Sequence, residues 1–179
     1  MTVQATYVNL GSVVVSTNGT TSDIGFGSIP QTYTDLRLVV QFRTDYSSSS
    51  VAALYFNSDS STTNRSDTYI MYNGSSLTSG RETTVNRIQV ASGPTTPYSA
   101  TATDMFGVAV IDILNYSNTT TNKTVLWRYS GDTNGTGSTV VGVGTVQSTT
   151  AINFVHIATY AVGNWVAGTT ATLYGIAAA

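Results

Sequence analysis

The sequence predicts an all-β protein built as a two-sheet antiparallel sandwich. Three observations support this prediction. Apolar and polar residues alternate with a period of two along much of the chain, and no segment shows the 3.6-residue period of an amphipathic helix. Tracts rich in Ser, Thr, Asn and Gly separate the alternating segments at intervals of about 8–12 residues. Charged residues make up only 9% of the 179 residues, and residues that favour strands, such as Thr, Val and Tyr, are abundant.

Eleven segments have the pattern of strands. In chain order they are 6–15, 23–26, 35–43, 51–56, 67–72, 84–90, 105–114, 124–129, 140–146, 152–160 and 170–176. The segment 35–43 is typical, because Leu36, Leu38 and Val40 share one face and polar residues occupy the other. The segment 105–114 is apolar on both faces, which predicts a central strand covered on two sides.

The turns and the length define the expected architecture. Asn-Gly pairs at 18–19, 73–74 and 134–135 predict tight hairpin turns between flanking strands. About eight to ten strands in a single domain, 1–179, suit two four-stranded sheets in a jelly-roll-like arrangement. An immunoglobulin-type sandwich is the alternative, but such domains have about 100 residues and a Cys-Trp-Cys pattern that a chain without cysteine lacks.

Few side chains are available for chemistry. The chain has one lysine (Lys123), one glutamate (Glu82), one histidine (His156) and no cysteine, so we expect no catalytic site and no enzyme activity. Cysteine-based metal sites and disulfides are excluded, and we expect no bound cofactor. A net charge of −2 lacks the basic footprint of nucleic-acid binding.

Membrane insertion and export are not expected either. The apolar run that begins at Val108 ends at Asp112, far short of the roughly 18 residues that a spanning helix needs. The first residues have neither the basic nor the apolar region of a secretory signal. We therefore expect synthesis in a cytoplasm.

His156 lies within an apolar strand segment. It shares a strand face with Phe154, Ala158 and Tyr160, and no Gly-x-Ser-x-Gly motif occurs in the chain. We therefore interpret His156 as a core or interface histidine held by a hydroxyl, rather than as part of a catalytic triad. The carboxylates are scattered and most lie in turn-rich tracts, so the sequence predicts no glycosidase pair.

Asp112 interrupts the run Val-Ile-Asp-Ile-Leu. An unpaired buried charge is very costly, so we expect this carboxylate to have a structural partner. The candidate partners are Arg37, Arg128 and Lys123, or several hydroxyl groups.

Three tracts resemble ligand-binding loops only in part. Asp132-Thr-Asn-Gly and Asp59-Ser-Ser-Thr-Thr-Asn offer hard oxygen ligands, but neither completes a twelve-residue calcium loop ending in Glu. We interpret both as Asx turns. The tract 141–145, Val-Gly-Val-Gly-Thr, lacks the Lys-Ser/Thr of a phosphate loop, so its glycines predict a strand bend or a close approach by a neighbour.

Aromatic residues in the predicted loops are the candidates for partner contact. Tyr46, Tyr98 and Trp165 fall in such tracts. Exposed Tyr and Trp are large, rigid and amphipathic, which suits contacts with protein or sugar.

Charge scarcity also bears on assembly. Free β proteins often protect the edges of their sheets with lysine, and this chain has only one. A surface with so little charge favours association. Either the sheet closes on itself or neighbouring subunits cover its edges, and we expect neighbouring subunits.

Four segments together resemble a known family. They are 27–40 (Gly-Ser-Ile-Pro-Gln-Thr-Tyr-Thr-Asp-Leu-Arg-Leu-Val-Val), 57–59 (Asn-Ser-Asp), 115–125 (Asn-Tyr-Ser-Asn-Thr-Thr-Thr-Asn-Lys-Thr-Val) and 172–176 (Thr-Leu-Tyr-Gly-Ile). In this order they resemble small structural virion proteins of tailed bacteriophages, those of cyanophages and marine phages in particular. The similarity covers nearly the whole chain and contains no catalytic motif.

The resemblance implies a viral structural protein similar to jelly-roll capsid decoration (cement) proteins. Such a protein is made in the host cytoplasm and lies on the virion, at the outer surface of the capsid. The implied partners are the major capsid protein and further copies of the chain in a homotrimer, without nucleic acid or membrane. The resemblance also includes tail appendages, so the alternative is a tail-fibre or receptor-binding domain that recognises a host-surface glycan.

Overall fold

The computed structural model describes residues 6–46, 50–58, 64–91, 104–160 and 162–177, and none of these residues is helical. They form twelve strands: β1 (Tyr7–Val14), β2 (Asp23–Phe26), β3 (Asp35–Phe42), β4 (Val51–Phe56), β5 (Arg65–Tyr72), β6 (Leu77–Val85), β7 (Ile88–Ala91), β8 (Gly107–Leu114), β9 (Lys123–Asp132), β10 (Gly137–Val146), β11 (Val155–Tyr160) and β12 (Thr170–Ile176). The described part of the chain contains no helix long and apolar enough to cross a membrane.

The strands form two antiparallel sheets. The larger has the order β1-β12-β3-β8-β9-β10-β5-β6, and the smaller has the order β2-β11-β4-β7. The pairs β1/β12, β2/β11, β3/β8 and β4/β7 are nested in the chain and alternate between the sheets, which is the winding of a jelly roll. The predicted fold class is therefore confirmed, whereas the expectation of two equal four-stranded sheets is wrong.

Two inserted hairpins make the larger sheet twice as wide as the smaller one. The hairpin β5–β6 lies between β4 and β7 in the chain, and β9–β10 lies between β8 and β11. Their turns contain the Asn-Gly pairs at 73–74 and 134–135, as predicted, and Gly74 has a φ of 90°. The pair at 18–19 is not a hairpin turn, because it connects β1 to β2, which belong to different sheets.

The core lies between the two sheets and follows from the alternation. Leu36, Leu38 and Val40 of β3 are fully buried, and they face buried side chains of the smaller sheet such as Leu54 and Ile157. Each large apolar side chain buried in this way stabilises the fold by about 1.5–3 kcal/mol.

Glycines in β10 allow aromatic and apolar side chains to pack against its backbone. A Cβ atom at Gly142 would collide with the Trp127 ring, and one at Gly144 would lie 2.8 Å from Ile88 Cδ1. The interpretation of tract 141–145 as a site of close approach is thus confirmed.

The predicted strand 84–90 is wrong in its extent. Thr84 and Val85 end β6, Asn86 and Arg87 connect the strands, and the remaining residues belong to β7. Strand β6, Leu-Thr-Ser-Gly-Arg-Glu-Thr-Thr-Val, is exposed along most of its length on both faces, so it lacks the alternation that marks a half-buried strand.

Candidate interaction surface

The outer face of the eight-stranded sheet, meaning the face turned away from the four-stranded sheet, is unusually apolar. Seven large apolar side chains on it are 41–71% exposed. They are Ile70, Tyr72, Leu77, Val108, Leu126, Val141 and Val143. Together they present apolar surface on the order of 400 Å², comparable with the largest patch on a typical monomer.

Strand register makes this patch continuous. Val110 of β8 lies opposite Arg128 of β9, Arg128 lies opposite Val141 of β10, and Val141 lies opposite Ile70 of β5. In the neighbouring row, Val143 lies opposite Leu126. The patch therefore spans strands β8, β9, β10, β5 and β6, with Arg128 exposed at its centre and Arg81 exposed at its β6 edge.

Strand β8 shows why the patch needs an explanation. The sequence predicts that both of its apolar faces are covered, but Val108 is 41% exposed and no described strand lies over it. That prediction is wrong for the described chain. A strand with apolar residues on its solvent face is the pattern expected where another molecule binds.

An ion pair borders the patch. Arg37 Nε donates to Asp112 Oδ1 at 2.6 Å and Arg37 Nη2 donates to Oδ2 at 2.9 Å, and Arg37 Nη1 also bonds the Tyr7 hydroxyl. The hydrogen bonds to Asp112 raise the pKa of Arg37. The expectation of a structural partner for Asp112 is confirmed, with Arg37 as the partner; Arg128 is left exposed on the patch.

His156 lies on the opposite surface of the molecule, on the outer face of the smaller sheet. Its Nδ1 lies 2.7 Å from Asp23 Oδ2, and its ring stacks on Tyr55 with centroids 4.9 Å apart. The expected hydroxyl partner is wrong, since a carboxylate holds the ring. Ala158, two residues after His156, lies opposite Asp23 on the neighbouring strand, and this register brings the His156 ring close to the Asp23 carboxylate. The sequence alone did not indicate this contact.

Two carboxylate side chains lie opposite each other on neighbouring strands, although the sequence predicts no carboxylate pair. Asp67 of β5 lies directly opposite Glu82 of β6, and Arg87 Nη2 donates to Glu82 Oε1 at 3.2 Å. Burial is the main cause that raises the pKa of Asp67. Because β6 was not predicted, nothing in the sequence signalled this contact. Within the described ranges, no group of three or more possible protein ligands is arranged to hold a metal ion.

Lys123, the single lysine, is fully buried. Its Nζ donates to the backbone carbonyls of Asn118 at 2.5 Å, Thr121 at 3.1 Å and Ser148 at 3.2 Å. Burial lowers the pKa of this ammonium group. Lys123 therefore fixes two loops and cannot protect a sheet edge.

The three predicted contact residues have different positions. Trp165 is a core residue with no exposed surface, and its ring lies 5.4 Å from Phe42, so its proposal as a contact residue is wrong for the folded chain. Tyr46 is partly buried beside Gly163. Tyr98 lies outside the described residues. The exposed outer face was not among the predicted contact surfaces, although the doubly apolar segment 105–114 indicates it.

An open cleft of about 620 Å³ lies beside the patch, at the turns of the two inserted hairpins. Its lining includes Tyr72, Asn73, Phe106, Asp132 and Thr136. The Asp132 carboxylate accepts the backbone N–H of Asn134 at 2.7 Å, which is the predicted Asx turn. The cleft thus combines aromatic rings with neutral polar groups and one carboxylate.

Comparisons of this chain with protein-family models, with curated proteins and with solved structures find no match. The features that bear on function are therefore the outer face, the composition and the four segments that carry the resemblance. Of these, the outer face is the feature with defined geometry.

Proposed function

We propose that this chain is a structural protein of a bacteriophage virion, a decoration protein that binds the outer surface of the capsid. The observation that supports this proposal is the outer face of the eight-stranded sheet, where seven large apolar side chains are exposed on five neighbouring strands. The major capsid protein is the proposed partner. The jelly-roll fold and the resemblance of segments 27–40 and 115–125 support the virion assignment.

The mechanism is mechanical rather than chemical. Each copy offers roughly 400 Å² of apolar surface, about half of the 800 Å² per partner in a standard interface. The affinity of one copy for the capsid is therefore modest. Copies that also contact one another must dissociate together, so multivalent attachment gives the layer a higher avidity than the affinity of one copy. Such a layer would hold neighbouring capsid subunits in place.

The binding should be largely independent of salt. The patch carries few charges: Arg128 lies within it, Arg81 lies at its β6 edge, and the nearby Arg37 is already paired with Asp112. Exposed ion pairs weaken with ionic strength because screening acts within about 8–10 Å, whereas apolar contacts do not weaken.

Co-sedimentation with capsids tests this proposal. Capsids of the phage that encodes the chain, stripped of it, are mixed with the purified protein at low salt and at molar NaCl. We expect the same bound fraction in both. Absence of binding would contradict the decoration role, and release in high salt would contradict an apolar interface.

The cleft favours a second candidate, a receptor-binding domain that recognises a host-surface glycan. A sugar can pack on aromatic rings and form hydrogen bonds with hydroxyl, amide and carboxylate groups. The cleft has such groups, and Tyr72 is half exposed there. Titration with polysaccharide from the host surface tests it. Binding that is lost in Tyr72→Ala would support this candidate over the decoration role.

A further inference from the structure

Strand β6 is a free sheet edge. It is the last strand of the larger sheet, pairs with β5 on one side only, and no described strand lies on its other side. It is nine residues long, contains neither proline nor lysine, and has two charged residues, Arg81 and Glu82. A long edge without proline can still pair its backbone with another chain.

The hairpin turn determines which backbone groups of β6 are free. Asn73 N–H donates to the Ser76 carbonyl at 3.2 Å, which makes this pair a hydrogen-bonded one. Because hydrogen-bonded pairs alternate along an antiparallel ladder, Thr78 and Gly80 exchange bonds with β5. The N–H and C=O groups of Leu77, Ser79, Arg81 and Thr83 then point away from the sheet. A bulge at Thr84, whose φ is 59°, ends this regular edge.

The other three edges are protected or short. Strand β1 has a bulge between Asn9 and Gly11, and the Asn9 side chain accepts the N–H of Gly11 at 2.9 Å. Strands β2 and β7 have only four residues each. The edge of β6 therefore stands out as the one among the described strands that is both long and regular.

We infer that two copies of this chain associate through their β6 strands, which pair antiparallel about a two-fold axis at Gly80. In this register Ser79 lies opposite Arg81 of the partner subunit, and Leu77 lies opposite Thr83 of the partner subunit. All four residues have N–H and C=O groups that point outward, so these groups form hydrogen bonds with those of the other copy. The two eight-stranded sheets become one continuous sheet across the axis.

Side chains on the outer face favour this register and a second copy as the occupant. A register centred on Arg81 would set two guanidinium groups opposite each other, which destabilises a strand pair. Centring on Gly80 instead places each Arg81 beside a neutral Ser79. The pairing also covers part of Leu77, which is 71% exposed. The free N–H and C=O groups of one β6 strand align with those of a second β6 strand related by a two-fold axis. The edge is therefore self-complementary.

The inference is independent of capsid binding, because it follows from the β6 backbone alone. A two-fold contact joins two chains, or joins two of the trimers that the resemblance implies. Loss of the contact must therefore reduce the assembly mass by half or more in either case.

The test uses Ser79→Pro with Ser79→Ala as its control. Proline removes the outward N–H of Ser79 and leaves the bonds between β5 and β6 intact, and proline is tolerated on strand edges that face solvent. Native mass spectrometry should show that the Ser79→Pro mass is half the wild-type mass or less, while Ser79→Ala keeps the wild-type mass. A wild-type protein of single-chain mass, or a Ser79→Pro variant of unchanged mass with native circular dichroism, would overturn the inference.

Crosslinking provides a second readout that does not depend on proline. The chain has no cysteine, so Ser79→Cys and Arg81→Cys proteins each carry a single thiol. After the two proteins are mixed and oxidised, we expect disulfide-linked dimers that contain one of each. Dimers formed equally well by either variant alone would contradict the register.

Discussion

Val141 of β10 and Ile70 of β5 are cross-strand partners on the outer face of the larger sheet, and their side chains remain 58% and 55% exposed. Each is β-branched and apolar, so the pair stabilises the sheet locally but leaves apolar surface in water. A protein gains nothing from such exposure as a free molecule. The pair is therefore the centre of the surface that we assign to capsid binding.

Substitution of Val141 by Asp should weaken capsid binding at least tenfold, because a carboxylate in a covered apolar contact loses its hydration. The free protein should lose no more than about 0.5 kcal/mol of stability, since the site is exposed. Val162→Asp is the matched control, because Val162 is exposed but lies in the segment between β11 and β12. Equal binding by the two variants in co-sedimentation would show that the outer face is not the contact.

Lys123→Met should destabilise the fold by about 2–4 kcal/mol, because three backbone carbonyls lose a charged donor inside the protein. Arg128→Met, on the same strand but exposed, is the control and should change the free energy of unfolding by less than about 0.5 kcal/mol. Urea denaturation measures both. Equal effects of the two variants would mean that the buried ammonium group has no special role.

Asp67→Asn should stabilise the protein at pH 7. Burial holds the pKa of Asp67 above its ordinary value of 3.8, so its charged form is disfavoured in the folded state. The resulting destabilisation is absent below the ordinary pKa, grows as the pH rises from the ordinary pKa to the folded-state pKa, and is constant above it. Asparagine keeps the acceptor for the Gln89 N–H and removes the repulsion from Glu82.

The melting temperature of Asp67→Asn should therefore exceed that of the wild type at pH 7, and the difference should vanish near pH 3. Glu82→Gln is the comparison, because it removes the other carboxylate of the pair but also weakens the contact with Arg87. A variant that is less stable than the wild type at pH 7 would mean that the Asp67 charge is stabilising.

Gly142→Ala should destabilise the protein by about 1–3 kcal/mol, because the new Cβ atom collides with the Trp127 ring and forces the core to shift. Val143→Ala, one residue further along the same strand but on its exposed face, should reduce the free energy of unfolding much less. Thermal unfolding of both variants checks this expectation. An unchanged melting temperature for Gly142→Ala would mean that the sheet has room to adjust.

The sequence predicted those parts of the fold in which one face is buried. Strand β3 (Asp35–Phe42) was predicted because its apolar residues alternate, and alternation follows directly from one buried face. Strand β6 was not predicted, because an edge strand exposed on both faces has no such constraint. The same missing strand concealed the contact between Asp67 and Glu82.

The site was less accessible to sequence reasoning. Arg37 was among the expected partners of Asp112, since a charge in an apolar strand must be compensated. Lys123 could not be placed, because its three acceptors come from loops that only the jelly-roll winding brings together. Trp165 was assigned to the surface because its tract resembles a loop, yet its backbone bridge to Thr44 directs the ring into the core.

The most direct test of the central claim is the copy number of this chain on purified virions of the phage that encodes it. Quantitative mass spectrometry would compare the chain with the major capsid protein in the same particles. We expect many copies in a fixed stoichiometric ratio to the major capsid protein, removed from the particle surface without loss of the tail. A chain that is absent from the particles, or present in the few copies typical of a tail appendage, would contradict the assignment as a decoration protein.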